Sequence, residues 1–275
     1  EDLEVLVSVA TVAGQAVEHA QLHEAQLRLD RRERELSTAK EVQRHFLPQR
    51  RPDRPGYRFF DYYCAAEDVG GDYFGYLELP DGRLAIALGD VSGKGVSAAL
   101  LMARLCSEVR YCLATSASPL EAVHRLNTGL ADPTIALGDR FVTFLLCVID
   151  VREHQLTIVN AGHLPPLRRG QGGHVETLGE DAAGAPLGYD CDHRYVEFVT
   201  PIGVGDVIVL FTDGVTDATS PDDEIFGLRR VRDRVEAGPG EPERLGITLV
   251  DEVHDFLEGS PQTDDICLLC FSRDR

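Results

Sequence analysis

The stretch "DYFGYLELPDGRLAIALGD", residues 72–90, decides the fold class of this chain. It contains two strand-like runs separated by the turn signal "PDG", which predicts a β-hairpin. The stretch "FVTFLLCVIDVREHQLTIVNAG", residues 141–162, repeats the pattern. Asp72 and Asp90 each stand nine residues from Asp81 in the turn, so antiparallel pairing brings them opposite each other or within one residue of it.

Helical patterns lie between and after these hairpins. Residues 96–114 and 119–130 form one pair, and a second pair is expected near residues 225–235 and 242–258. Three further strands are predicted, "YVEFVT", "DVIVLFTDG" and "DICLLCFSR". Several strands are apolar without alternation, which indicates that both faces of each sheet are covered. The sequence therefore predicts an α+β fold in which two stacked, mainly antiparallel sheets are flanked by helices, an αββα sandwich.

The glycine-rich stretch "GDVSGKGVSAAL", residues 89–100, raises the question of a phosphate-binding loop. A P-loop requires Gly-Lys followed by Ser or Thr, whereas Lys94 is followed by Gly95. The pattern Gly-x-Gly-x-x-Ala of a dinucleotide-binding turn is present, but that turn belongs to a βαβ unit, and hairpins surround it here. The sequence disfavours both interpretations.

The composition narrows the classes of partner. Of 275 residues, 43% are hydrophobic, and 46 acidic against 27 basic residues give a net charge of −19. That charge disfavours nucleic acid and anionic membranes as partners. The seven cysteines lack the spacing of a disulfide framework or of a zinc site, which favours a reducing cytoplasm. The sequence has no apolar run of about 18 residues, so we expect no membrane span.

The first 47 residues contain no proline and one glycine, which predicts a long helix ended by Pro48. Apolar residues recur there at alternating spacings of three and four, namely Leu3, Leu6, Ala10, Ala13, Val17 and Ala20, and a second register continues from Leu22. A charged helix with so thin an apolar stripe does not fold alone. We expect it to form a coiled coil in a homodimer, with packing on the body of the same chain as the alternative.

Four aspartates are expected to meet at one end of the two sheets. Asp90 and Asp213 end apolar strands, and Asp264 opens one. Asp72 lies across the hairpin from Asp90. Crowded carboxylates repel one another and take up protons unless a cation neutralises them. Hard oxygen ligands without a nearby His or Cys select Mg²⁺ or Mn²⁺, and four acids suffice for two ions.

Glycines flank these aspartates, at positions 70, 71, 89 and 214. They leave room for metal, water or substrate. The backbone carbonyl of Val91 is a further candidate ligand. Each Asp-Gly pair taken alone is more simply a turn, but the coincidence of all four favours a metal site. Phosphate would then be bound through metal, and the role of Lys94 stays open.

The same residues resemble the SpoIIE and RsbU branch of the bacterial PPM-type, metal-dependent serine/threonine protein phosphatases. The matching signatures occur in family order over roughly residues 55–275: "VGGDYF", "GDVSGKGVSAALLMA", "NAGHLPPL", "GDVIVLFTDGVTDA", "FG" and "DDICLL". The resemblance implies a double β-sandwich flanked by helices. It also implies that the catalytic metal ligands are Asp72, Asp90, Val91 through its carbonyl, Asp213 and Asp264.

The resemblance further implies a division of the chain. Residues 1–27 are similar to the last helix of a GAF sensor domain, residues 28–50 are expected to be a helical coiled-coil linker, and residues 51–275 the phosphatase domain. The chain then belongs to a longer signalling protein. We expect the helix before the body to transmit a change in that sensor to the phosphatase.

The function implied is hydrolysis of phosphoserine or phosphothreonine in a partner protein by a hydroxide held between two metal ions. The usual substrate in the family is a STAS-type anti-sigma-factor antagonist, which places the protein in sigma-factor regulation in the cytoplasm. A cysteine nucleophile is the other phosphatase chemistry, but no cysteine lies in a phosphate-cradling loop followed by Arg.

Two departures from the family keep an alternative open. Gly75 stands where many relatives carry an Asp, so the body could be a pseudophosphatase that serves as a regulated binding module. Ser92 stands where the eukaryotic branch has a His, so water or another residue would protonate the leaving group. His163 is a candidate for that role, with stabilisation of a turn as the alternative.

Overall fold

The computed structural model describes residues 2–132 and 140–274. The chain divides into two compact units, residues 1–42 and residues 43–275. Helix α1 (Asp2–Arg44) makes up the first unit except for its last two residues, Gln43 and Arg44, which belong to the second, and it ends four residues before Pro48, as the sequence predicted. The six apolar side chains from Leu3 to Ala20 lie outside the described residues, and Leu22 and Leu29 are exposed on the helix.

The second unit contains two sheets, each mainly antiparallel in the part of the chain that the structure describes. The first sheet has the order β1-β11-β10-β6-β7, with β1 (Tyr57–Cys64), β6 (Leu167–Arg169), β7 (Val175–Thr177), β10 (Val207–Phe211) and β11 (Ile266–Arg273). The second has the order β2-β3-β4-β5-β8, with β9 also paired to β5; its strands are β2 (Tyr73–Glu78), β3 (Leu84–Val91), β4 (Val142–Asp150), β5 (Gln155–Ala161), β8 (Ala183–Gly184) and β9 (Glu197–Pro201). Of the described pairings, β5 with β8 is parallel.

Helices cover the outer face of each sheet. Helices α2 (Val96–Thr115) and α3 (Pro119–Leu130) pack on the second sheet, and α4 (Asp213–Thr216), α5 (Gly227–Ala237) and α6 (Pro242–Leu257) pack on the first. The start of α3 has a capping box, in which Ser118 Oγ accepts from the Glu121 amide and the Glu121 carboxylate accepts from the Ala117 amide. The predicted helices and the αββα architecture are confirmed.

Strand β11 shows why a central strand carries no polar alternation. Cys267, Leu269 and Phe271 face the core between the two sheets, and Leu268 and Cys270 face the core beneath α5 and α6. Successive side chains of a strand point to opposite faces, so a strand covered on both sides is apolar throughout.

The pairing of β2 with β3 aligns the predicted acidic pair. Tyr73 lies opposite Gly89 in this register, so Asp72 and Asp90 are the next opposing residues at the open end of the hairpin. Phe211 lies opposite Leu268 between β10 and β11, which places Asp213 and Asp264 just beyond the same end of the first sheet. The prediction that the hairpin aligns its two aspartates is confirmed.

Candidate metal centre

The structure brings the four predicted aspartates into one electrostatic cluster. Asp72 is buried, and burial together with the charges of Asp90 and Asp265 raises its pKa well above the usual range. Burial, followed by the charges of Asp213 and Asp264, raises the pKa of Asp90 to about 7. Carboxylates that perturb one another in this way share a small volume with too little positive charge.

Asp213 belongs to the same cluster. Burial and the nearby charge of Asp264 raise its pKa, and it opens helix α4 directly after strand β10. Asp264 precedes β11 and is half-buried, with 42% of its side chain accessible. The elements that carry the four acids are therefore the open end of one hairpin and the adjoining ends of two neighbouring strands.

Asp90 lines two cavities. The smaller has a volume of about 10 Å³, enough for one water-sized particle, and is also lined by Gly71, Lys94 and Asp264. The larger, about 210 Å³, is lined by Asp90, Asp213 and His163 among others. This arrangement provides two positions beside Asp90 rather than one.

The ligand atoms of the predicted aspartates do not all lie within a few ångströms of one another. In the described parts of the chain, one trio of potential ligands, the exposed Asp190, Cys191 and Asp192, has all its ligand atoms within 4.8 Å of one another. No three of the predicted aspartates, all of which are described, meet that distance.

The glycines next to the aspartates make close contacts that a side chain would block. A Cβ at position 71 would lie 3.0 Å from the Val91 carbonyl oxygen, which is the fifth predicted ligand. A Cβ at position 214 would lie 1.9 Å from the Asp265 carbonyl oxygen. Gly93 and Gly95 adopt φ of 91° and 77°, which lets the chain turn from Asp90 into helix α2.

Lys94, whose role the sequence left open, lies beside the acids. Its ammonium nitrogen is 3.2 Å from Asp264 Oδ2 and donates to the Thr263 carbonyl. A cation of this chain thus already balances part of the charge of Asp264. The donor set of carboxylate and carbonyl oxygens and the excess of negative charge fit binding of Mg²⁺ or Mn²⁺.

Sequence reasoning missed Asp265 and Thr212. Thr212 Oγ1 donates to Asp72 Oδ2 over 2.7 Å, and Asp265 accepts from backbone amides of the segment that carries Asp72. Both residues adjoin predicted ligands in sequence. The sequence did carry a signal for Asp265, because an acid that directly precedes a strand apolar on both faces is expected to be buried.

His163 occupies a structural position. Its Nδ1 shares a hydrogen bond of 2.8 Å with Thr143 Oγ1, and Asn160 bonds both its backbone amide and its carbonyl. Burial lowers the pKa of the ring to about 4, so it is neutral at pH 7 and poorly suited to donate a proton. The structure favours the alternative in which His163 stabilises the turn.

Ser92 and Gly75, the two residues that depart from the family pattern, each have contacts that explain their identity. Ser92 Oγ accepts from the Phe141 amide, and its carbonyl accepts from Arg140, so this residue secures the loop after Val91. A Cβ at position 75 would lie 2.4 Å from the hydroxyl oxygen of Tyr73, which is fully buried. The space beside Gly75 is therefore filled by the Tyr73 ring.

The fold of this chain is shared with proteins of known structure. The SiaA-PP2C domain of Pseudomonas aeruginosa has the same fold, with a TM-score of 0.75 at 24% identity over 88% of this chain and 97% of that one. The fold is thus that of the PP2C-type, that is PPM-type, phosphatase domains, a class of metal-dependent enzymes. The chain belongs to the SpoIIE family, since the family model for stage II sporulation protein E matches residues 80–274.

Two curated relatives show how far the similarity extends. Protein IcfG of Synechocystis is 29% identical over 87% of this chain and 41% of its own length. Phosphoserine phosphatase RsbU of Bacillus subtilis is 29% identical over 66% of this chain and 53% of its own. The chain spans about half the length of the curated relatives it matches.

Proposed function

We propose that this chain is a metal-dependent protein phosphatase that hydrolyses phosphoserine or phosphothreonine in a partner protein. The observation that carries the proposal is the cluster of Asp72, Asp90, Asp213 and Asp264, whose mutual repulsion at neutral pH bound cations would relieve. Membership of the SpoIIE family and the similarity to a phosphoserine phosphatase support it.

In this proposal Asp72, Asp90, Asp213, Asp264 and the Val91 carbonyl hold two Mg²⁺ or Mn²⁺ ions. Such ions, when bound, lower the pKa of water and neutralise phosphoryl oxygens. The acids hold their positions because strand register and strand ends fix them. Lys94 lies at the rim, within reach of a phosphoryl group that approaches Asp264.

The reaction forms one phosphorus–oxygen bond from water and breaks the bond between phosphorus and the side-chain oxygen of the substrate. That oxygen then needs a proton. His163 is buried and neutral, and Ser92 is held by Phe141, so we assign the proton to solvent water rather than to either residue. No covalent enzyme intermediate is required.

We further propose that the substrate is a STAS-type anti-sigma-factor antagonist and that an upstream GAF-like sensor, of which residues 1–27 are the last helix, controls the reaction. The chain spans about half the length of these relatives. All seven cysteines are free, which supports a cytoplasmic location. In the described residues, no helix has the length and apolar character needed to cross a membrane.

A homodimer through the linker helix, residues 28–50 with the preceding turns, completes the proposal. Leu22 and Leu29 are one heptad apart and 65% and 55% exposed, as expected of a seam that a second copy covers. Light scattering on the chain should give a dimer, and Leu22→Glu with Leu29→Glu should give a monomer. A monomeric wild type would remove this part of the proposal.

The activity is tested with Mn²⁺-dependent hydrolysis of p-nitrophenyl phosphate and of a phosphoserine protein. Asp213→Asn should lower the rate by at least about 100-fold while circular dichroism shows an intact fold. The exposed Asp222→Asn makes the same chemical change away from the cluster and should match wild type. Absence of hydrolysis in a wild type that binds a phosphoprotein would instead favour the pseudophosphatase alternative.

A further inference from the structure

Asp265, next to the predicted ligand Asp264, is a buried carboxylate with its own set of partners. Only 6% of the residue is exposed. Its Oδ1 accepts from the Ala66 amide over 2.8 Å. Its Oδ2 accepts from the amides of Gly71, over 2.6 Å, and Asp72, over 3.2 Å. All three donors belong to the segment between β1 and β2, which ends at Asp72.

That segment, residues 65–72, forms neither helix nor strand, so neighbouring groups must bind its backbone amides. Asp265 provides these acceptors from the start of β11, a strand paired on both sides with β1 and β10. Hydrogen bonds from amides to a carboxylate are stronger than those to a neutral acceptor. The position of the segment is thus fixed against a strand that is itself paired on both sides.

The fit between the segment and Asp265 is close. A Cβ at position 70 would lie 2.2 Å from Asp265 Oδ2 and 2.2 Å from the hydroxyl oxygen of Tyr63. Glycine at this position therefore lets the backbone approach the carboxylate. The contact that orders residues 66–72 therefore depends on both Gly70 and Asp265.

We propose that Asp265 is a positioning residue for the metal centre: it holds residues 66–72 so that Asp72 and Gly71 face the cluster. The proposal rests on the proposed function, because it concerns how well Asp72 binds a metal ion. An asparagine cannot replace Asp265, because both carboxylate oxygens accept from amides and an amide side chain offers one oxygen.

The test compares Mn²⁺ binding by titration calorimetry in wild type, Asp265→Asn and Glu67→Gln. Glu67 is exposed and lines the same small cavity, so Glu67→Gln measures the effect of losing one negative charge there. We expect Asp265→Asn to weaken Mn²⁺ binding by about 10- to 100-fold. Glu67→Gln should weaken it several-fold less.

Amide hydrogen exchange gives a readout that does not involve the metal. In metal-free Asp265→Asn, exchange should accelerate at Ala66, Gly71 and Asp72, while amides of β11 stay protected. Equal Mn²⁺ affinity in Asp265→Asn and Glu67→Gln, or unchanged exchange at these amides, would overturn the proposal.

A second variant decides the question if Asp265→Asn fails to fold. Gly70→Ala disrupts the same contact from the side of residues 66–72 and leaves the Asp265 carboxylate unchanged. It should also weaken Mn²⁺ binding by about 10-fold or more, and wild-type affinity would overturn the proposal. If the wild type itself binds no Mn²⁺, both the proposed function and the role of Asp265 are wrong. If all variants bind Mn²⁺ as tightly as wild type, only the role of Asp265 is wrong.

Discussion

Thr212 Oγ1 donates a hydrogen bond of 2.7 Å to Asp72 Oδ2 and so joins the two sheets at the metal centre. Thr212 follows the last residue of β10 in one sheet, and Asp72 precedes the first residue of β2 in the other. The same hydroxyl accepts from the Cys267 amide over 3.0 Å. The bond opposes the rise that burial causes in the pKa of Asp72.

Thr212→Val should therefore destabilise the protein. Valine keeps the size of threonine but leaves the buried Cys267 amide without its acceptor, which costs about 1–3 kcal/mol in the free energy of unfolding. Urea unfolding of the metal-free protein measures this cost. Thr248→Val, which makes the same change at a partly exposed helix position, should cost less than about 0.5 kcal/mol. Equal costs would show that the Thr212 bond contributes nothing specific.

The metal-free protein should lose stability as the pH rises from 6.5 to 8. The pKa of Asp90 is about 7 in the folded protein and near 4 when unfolded, so the proton stabilises the fold at low pH and is lost as the pH passes 7. Most of the loss falls between about pH 4 and 7, and the part between pH 6.5 and 8 is on the order of 1 kcal/mol. Thermal unfolding in EDTA across this range measures it, and added Mn²⁺ should reverse it at pH 8.

Asp90→Asn is the comparison for this pH dependence. An amide cannot ionise, so the melting temperature of the variant should stay nearly flat between pH 6.5 and 8. This window avoids the opposite effect of His163, which acts below pH 6.5. A variant that falls as steeply as wild type would assign the pH dependence to other groups.

Much of the centre could be predicted from sequence because a hairpin fixes its own register. The turn at "PDG" lies the same number of residues from Asp72 as from Asp90. Pairing of the two strands therefore places these aspartates together without contacts to the rest of the chain. Asp213 and Asp264 were predictable for a related reason, since each lies at the end of a strand too apolar to be anywhere but the centre of a sheet.

Other features depend on contacts between distant segments, which no local pattern records. Strand β1 was not predicted, because "YRFFDYYC" mixes aromatic and charged residues and its partner β11 is about 200 residues away. The short strands β6, β7 and β8 have two or three residues each, too few for a periodic signal. The role of Asp265 likewise appears only when residues 66–72 lie against it.

His163→Ala should lower stability without removing an ionisation from the rate profile. The pKa of the ring is about 4 when folded and near 6.5 when unfolded, so its contribution is present above pH 6.5 and is lost as the pH falls toward 4. We expect a stability loss of about 1–3 kcal/mol at pH 7.5 from the lost bond to Thr143. The pH–rate profile of phosphate ester hydrolysis should keep its shape. Disappearance of one limb would restore His163 as a proton donor.

Lys94→Ala should tighten Mn²⁺ binding by about two- to fivefold at low salt. The lysine neutralises Asp264 from 3.2 Å, so a cation binding there must overcome its charge. Because the pair is about half exposed, the gain should shrink in 0.5 M salt. Lys40→Ala removes an equal charge from the N-terminal helix and should leave the affinity unchanged. Weaker binding in Lys94→Ala would show that the lysine supports the metal ligands instead.

Gln43→Ala should weaken Mn²⁺ binding although Gln43 contacts no predicted ligand. Its side-chain amide donates to the Gly70 carbonyl over 2.6 Å and accepts from the Gly70 amide over 3.0 Å, so the last turn of α1 holds the segment that ends at Asp72. Losing both bonds should lower the affinity by roughly 3- to 30-fold. Gln49→Ala, whose side chain also bonds backbone carbonyls but lies after the helix, should bind as wild type does. Equal affinities in both variants and wild type would separate α1 from the metal centre and leave the proposed sensor control without a structural route.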